Sequence, residues 1–285
     1  MKYFHVDVFS KRPLRGNGLT VVFPDNPLSD QKCLDIAREF NQFETIFLYP
    51  KSDGVIQARI FTVDEELFFA GHPVLGAGAV IHKLYHIDEK NVDIIFSLEK
   101  RSISVHSEND KQHYKVTMNQ GAADFFGHIQ KDKYDRIAKA LNLHNEDIAS
   151  EYPIEVVSTG LPYLLVPVRS ALEKCRISRN DFESFLSEFG ARFVYVFDTD
   201  TLECRTWDNT GKVEDVATGS AAGPLCAYLV KNNRAKTGEI ITVHQGKFAG
   251  RPSIIRGWTI IKDTHTETFI AGDVSFFASG NIEEF

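Results

Sequence analysis

The chain has 285 residues, 43% of them hydrophobic and 25% charged, and a net charge of -7 at pH 7. That length suits two ordinary domains, and the composition excludes a disordered or fibrous chain. No basic stripe with interleaved aromatics is present and no apolar stretch is long enough to span a bilayer, which sets aside nucleic-acid and membrane partners.

The opening Tyr3-Phe4-His5-Val6-Asp7-Val8-Phe9 alternates like a strand and lacks a signal-peptide pattern. It leads through Gly16-Asn17-Gly18 into a second strand, Leu19-Thr20-Val21-Val22-Phe23. Ser29 is placed as an N-cap, with Leu28 positioned to staple onto Cys33. The helix that follows carries Cys33, Ile36, Ala37 and Phe40 on one face and ends near Asn41. Strands are expected at Ile46–Tyr49 and Ala58–Thr62, then the turn Ala70-Gly71-His72-Pro73 and an apolar helix from Val74 to Leu84.

The second half repeats this order. Glu155–Gly160 is a strand into a glycine turn, and Tyr163–Val166 follows. A helix through Phe182, Phe185, Leu186 and Phe189 leads to the strand Phe193–Val194–Tyr195–Val196–Phe197. Cys204–Asp208 echoes Ala58–Thr62, and Ala217-Thr218-Gly219-Ser220-Ala221-Ala222-Gly223 opens a second small-residue helix reaching Val230. The pattern reads as an internal duplication with a domain-sized period of about 145 residues, giving halves at 1–118 and 119–285. A hinge is expected between Thr117 and Asp147, with a connecting helix over Tyr134–Leu143, and Phe269–Val274 is expected to close the fold as a strand with a turn.

Each glycine turn feeds a helix whose first N–H groups are unpaired and whose dipole favours a carboxylate or phosphate. In a duplicated chain the two helix starts are expected to face one another across a cleft; tight helix packing without a ligand is the alternative. Standard cofactor motifs fail. Ala77 and Gly78 stand where a P-loop needs Lys and Ser or Thr, and the third glycine of a dinucleotide fingerprint is missing. His82 and His86 are four apart on a helix, but Lys83 replaces the zinc-protease glutamate, so both are expected at a solvated helix end. Ser220 has Thr218 and Ala222 where a nucleophile elbow needs glycines. The four cysteines, Cys33, Cys175, Cys204 and Cys226, form no CxxC pair and read as free buried thiols of a cytoplasmic protein. No metal or cofactor is expected.

Acid/base chemistry remains. Glu44 lies between a helix end and an apolar strand, flanked by Phe43 and Ile46, where partial desolvation raises a carboxyl pKa. A carboxylate at a strand start is ordinarily solvated; its counterpart near Arg192 or Phe193 carries no acid, and that asymmetry singles it out. His72 at one turn, and Asp215 with Ser220 at the other, are further polar candidates.

Several segments together resemble the phenazine-biosynthesis PhzF-like family. They are Phe4–Phe9, Asn41–Thr45, Gly71-His72-Pro73, Val157–Pro162, the run from Glu214 to Gly223, and Gln245-Gly246 with Gly250–Ser253. The resemblance spans nearly the whole chain. It implies the α+β fold of diaminopimelate epimerase, with two similar domains, each a mostly antiparallel sheet wrapped around a central helix, and an active site in the cleft between them. It implies that Glu44 is the catalytic acid/base, that His72, Asp215 and Ser220 hold and polarise the substrate, and that Gly219 and neighbouring backbone, with Gly71 at the other turn, support it. The phenazine enzyme isomerises a dihydro-hydroxyanthranilate by a proton shuttle without cofactor, and members are commonly homodimers.

Two departures stand out. Gly18 replaces the family's usual proline, and His72 and Ser220 lie where the related epimerases place a cysteine pair. The expected function is therefore a cofactor-independent isomerase acting on a small carboxylate-bearing molecule. An amino-acid epimerase using Glu44 with His72 or Asp215, and a binding protein without turnover, are the alternatives.

Overall fold

The computed structural model describes residues 1–50, 54–110, 113–262 and 265–283. The chain divides into two compact units, Met1–Asn119 with Ala271–Phe285, and Gln120–Ile270.

The first unit opens with the hairpin β1 (Lys2–Val8) and β2 (Asn17–Phe23). Helix α1 (Asp30–Phe40) starts where Ser29 accepts a hydrogen bond from the Lys32 N–H and stops where Asn41 turns left-handed. Its apolar face buries Cys33, Ile36 and Ala37 against Val22, Phe47 and Phe61, with Leu28 packed on the same cluster as the staple requires. Strands β3 (Glu44–Pro50), β4 (Val55–Phe61) and β5 (Glu66–Leu67) precede helix α2 (Gly71–Tyr85), and β6 (Asn91–Ser97), β7 (Ser102–Asn109) and β8 (Tyr114–Gly121) follow it.

The second unit contains β9 (Asp124–His128), α3 (Tyr134–Ala140), β10 (Glu155–Ser158), β11 (Pro162–Val168), α4 (Phe182–Ser187), β12 (Phe193–Asp198), β13 (Glu203–Arg205), α5 (Gly219–Lys231), β14 (Ile241–Gln245) and β15 (Ser253–Lys262). The last strand, β16 (His265–Asn281), begins in the second unit and ends in the first.

The pairing pattern repeats. In the first unit β1–β2 is antiparallel, β2–β3 parallel, β3–β4 antiparallel, β4–β6 parallel and β6–β7 antiparallel. In the second, β10–β11, β11–β12, β12–β13, β13–β14 and β14–β15 alternate in the same sequence. The parallel pairs align Leu19 with Glu44 and Tyr163 with Phe193, so Glu44 and Phe193 open equivalent strands. In the first unit β16 joins β8 and also pairs with β1, closing the sheet.

A helix enclosed by a sheet must be apolar on every side. In α2 every residue from Gly71 to His82 is buried, and the helix packs on β1, β2, β3, β6 and β7. In α5 nearly every residue from Gly219 to Val230 is buried, against β10, β11 and β15. The small residues set these distances: a Cβ on Gly76 would collide with Leu19, and one on Gly223 with the Gln120 side chain.

Three expectations differ from the structure. The second half does not keep everything after residue 118: Ala271–Phe285 returns to the first unit, because β16 pairs with β1 from Lys2↔Asn281 to Val8↔Val274. Gly272 makes no turn. It lies inside β16, where a side chain would run into the Phe9 ring. His82 is fully buried rather than solvated, held by Ser107 Oγ at 2.8 Å and the Glu89 carbonyl at 3.0 Å. All four cysteines are free and buried. Among the described residues no helix is long and apolar enough to cross a membrane.

Candidate active site

In the first unit, Glu44 is the first residue of β3 and His72 the second of α2, directly after Gly71. The fold brings them together: His72 Nε2 lies 3.4 Å from Glu44 Oε2, with side chains only 6% and 16% exposed. Gly18, near the start of β2, lies against the Gln42 side-chain amide, which a Cβ there would displace. The Gly18 backbone also hydrogen-bonds His72. Burial drives the His72 pKa down to about 3, against the smaller opposing pull of that bond. His72 is therefore a neutral imidazole near pH 7, as suits a ring at the positive end of a helix. Ala70, the N-cap of α2, offers no side-chain hydrogen bond, and with Pro73 third in the helix the N–H groups at its start are those of Gly71 and His72.

In the second unit, Asp215, Gly219 and Ser220 surround the start of α5. Asp215 Oδ2 accepts a 2.5 Å hydrogen bond from the Thr218 hydroxyl, and Oδ1 one of 3.3 Å from the Ala217 N–H. Thr218 is the N-cap, a residue type that ordinarily caps, but its hydroxyl is turned to Asp215 and caps nothing. Gln245 locks this arrangement. Its amide group donates to the Asp215 carbonyl (2.8 Å) and to Thr218 Oγ1 (2.9 Å), and its oxygen accepts from the Thr218 N–H (3.1 Å) and the Tyr195 hydroxyl (2.9 Å). All four of its hydrogen-bonding positions are used. Ser220 Oγ lies 2.8 Å from the Tyr163 hydroxyl, and the Gly219 carbonyl accepts from Gln120 Nε2 at 2.9 Å.

The sequence candidates thus fall into one cluster per unit: Glu44, Gly71 and His72 in the first, and Asp215, Gly219 and Ser220 in the second. Residue-pattern reasoning gives no role to Tyr163, Gln120 or Tyr195. Their signal is three-dimensional, since each reaches its partner from more than 20 residues away.

Two units, each a sheet around a buried helix with a small-residue start, define an epimerase-like α+β protein. At the level of fold, a probable proline racemase from Agrobacterium radiobacter is similar, with a TM-score of 0.65, 11% identity, and coverage of 99% of this chain and 92% of that one. Residues 6–280 match the phenazine biosynthesis-like protein family, and the chain belongs to that family. A trans-2,3-dihydro-3-hydroxyanthranilate isomerase of Pseudomonas aeruginosa is 33% identical over 261 residues, covering 88% of each chain. An uncharacterized isomerase, YddE, of Escherichia coli is 29% identical over 274 residues, 93% of this chain and 92% of that one. The structure of a predicted epimerase from Pseudomonas aeruginosa is similar with a TM-score of 0.91 and 40% identity, over 100% of this chain and 99% of that one. The chain is an isomerase.

Proposed function

We propose that the protein moves a proton between two carbons of a small carboxylate-bearing substrate, with Glu44 as the acid/base. The observation that carries this reading is the contact of Glu44 with a buried, neutral His72 at the head of an uncapped helix. A carboxylate that removes a proton from carbon needs the resulting charge to be stabilised nearby. The positive end of α2 is placed to do so, and the neutral His72 ring, its one N–H given to the Gly18 backbone, leaves Glu44 as the group that carries the proton. The start of α2, with no side-chain cap, suits the substrate carboxylate, and in the second unit Asp215 and Ser220 are groups able to hydrogen-bond a polar substrate.

The low basicity of His72 weighs against two-base racemisation with that ring as second base. A group with a pKa of about 3 is a poor proton acceptor at neutral pH.

The test uses trans-2,3-dihydro-3-hydroxyanthranilate, the compound in the relatives' names, as first substrate, incubated in heavy water and followed by NMR and mass spectrometry. The expected outcome is an isomer carrying solvent deuterium or an internally transferred hydrogen, with neither formed by Glu44→Gln. Turnover by Glu44→Gln at the wild-type rate removes Glu44 from the mechanism. Tight binding with no chemical change leaves only a binding protein for this compound.

A further inference from the structure

The duplication carries a device that the proposed chemistry does not use. In the first unit Arg59, on β4, grips Glu66 with two parallel hydrogen bonds, Nε to Oε1 at 2.8 Å and Nη2 to Oε2 at 2.5 Å. Its remaining nitrogen donates to the Leu28 carbonyl at 3.2 Å, and the guanidinium lies 4.9 Å from the centre of the Phe61 ring. Its Nη2 also donates to Asp30 Oδ1 at 2.6 Å. In the second unit Arg205, on β13, holds Glu214 with the same fork, at 2.9 and 2.6 Å. Its remaining nitrogen donates to the Leu172 and Cys175 carbonyls at 2.7 and 2.9 Å, and the guanidinium lies 4.7 Å from the Trp207 ring.

In both units the aromatic partner is two residues after the arginine. A buried thiol also lies in the field of each pair, Cys33 in the first and Cys175 in the second. Geometry matching at this many points belongs to the duplicated frame rather than to chance surface pairing. Both pairs are well shielded, the second more so: Arg205 and Glu214 side chains are 10% and 14% exposed, against 21% and 28% in the first. A bidentate guanidinium–carboxylate pair fixes direction as well as distance.

What each pair fixes is the chain entering a site helix. Glu66 and Leu67 form β5, four residues before Gly71 begins α2. Glu214 directly precedes Asp215, whose own N–H is bonded to the Thr206 carbonyl. We propose that Arg59–Glu66 and Arg205–Glu214 are duplicated positioning clasps, each aiming the approach to one site helix, and that the second sets the orientation of the Asp215 carboxylate. The proposal rests on the assignment of Asp215 to the site, and its test needs no turnover.

The variants are Glu214→Gln, which keeps shape and loses charge, and Arg205→Lys, which keeps charge and loses the fork. Each is read by amide hydrogen exchange and by the carbon NMR titration of Asp215. The clasp predicts that exchange at 216–219 quickens by about tenfold or more while the interior of α5 changes by less than about threefold. It also predicts that in Arg205→Lys, which keeps every charge beside Asp215, the Asp215 midpoint moves by about half a pH unit or more. Glu66→Gln should change exchange at Gly71 and His72 by less than Glu214→Gln changes 216–219, because more chain separates the clasp from the site. Should the single variants fail to fold, the double variant Arg205→Met/Glu214→Leu removes the clasp without stranding a buried charge. A uniform rise in exchange across the second unit with an unmoved Asp215 titration in Arg205→Lys would overturn the proposal and leave a purely structural pair. If the titration responds but no isomerisation is found, the clasp stands and the proposed reaction falls.

Discussion

The two units share one strand pattern and differ where a substrate would be handled. β3 and β12 are equivalent strands, each parallel to its predecessor, yet the first opens with Glu44 and the second with Phe193. α2 and α5 both begin with glycine and carry no side-chain cap, yet the next residue is His72 in one and Ser220 in the other. The shared parts are those that build the frame: the buried helix, the small residues that allow close packing, and the arginine clasps. The differing parts are the groups able to hold or move a proton. A duplicated frame therefore separates two kinds of residue that a single domain leaves mixed.

The largest expected effect breaks this comparison at its most unequal point. Glu44→Gln is expected to lower isomerase turnover by about 10²- to 10⁴-fold, the usual contribution of a general acid/base. Phe193→Leu, at the equivalent position, is expected to lower it by less than about threefold, because it changes packing beside Tyr163 and removes no proton-carrying group. Steady-state kinetics on both variants check the pair. Equal losses would mean that both positions serve the frame.

The next effect is on stability. The folded protein holds His72 neutral down to about pH 3, whereas in the unfolded chain the ring takes a proton near its ordinary value of 6.5. Between those values the unfolded state binds more protons, so this residue favours unfolding progressively as pH falls from 6.5 towards 3. Above 6.5 it contributes no pH dependence. The slope approaches about 1.4 kcal/mol per pH unit within that window. Denaturant unfolding at pH 7.5, 5.5 and 4.5 is expected to show a shallower acid loss in His72→Gln than in wild type. Ser220→Ala, at the matching position, is expected to leave the acid slope unchanged.

Much of this was legible in the residues. The repeat was visible because the order of strands, glycine turns and apolar helices recurs, and helix α1 because Ser29, Leu28 and the Cys33–Ile36–Ala37 face obey local rules. Asn91–Ser97 is equally readable, since it alternates buried and exposed with period two, the ordinary mark of a half-buried strand. The return of β16 to β1 was not legible, since a pairing between residues 2 and 281 leaves no local trace. Neither was the burial of His82, which depends on Ser107 from β7. Within the site, Asp215 and Ser220 stand in a recognisable run, but the locking of Asp215 by Thr218 and Gln245 arises only when β14 lies beside the start of α5.

The smallest effect sharpens the contrast between structural and site helices. α1 is capped by Ser29, and Ser29→Ala is expected to cost about 1 kcal/mol of stability without altering turnover. α2 is the reverse case. Ala70→Ser would supply the missing cap, and where its hydroxyl accepts from the His72 N–H, the one cap donor that Pro73 leaves, the protein should gain up to about 1 kcal/mol. The same hydroxyl would occupy an N–H group that the proposed mechanism keeps for the substrate carboxylate, so the Michaelis constant should rise while thermal stability increases. A rise in both quantities, stability gained and affinity lost, supports reading the uncapped start as a binding feature. A more stable enzyme with unchanged substrate affinity would show that the missing cap is incidental, and would return α2 to the same footing as α1.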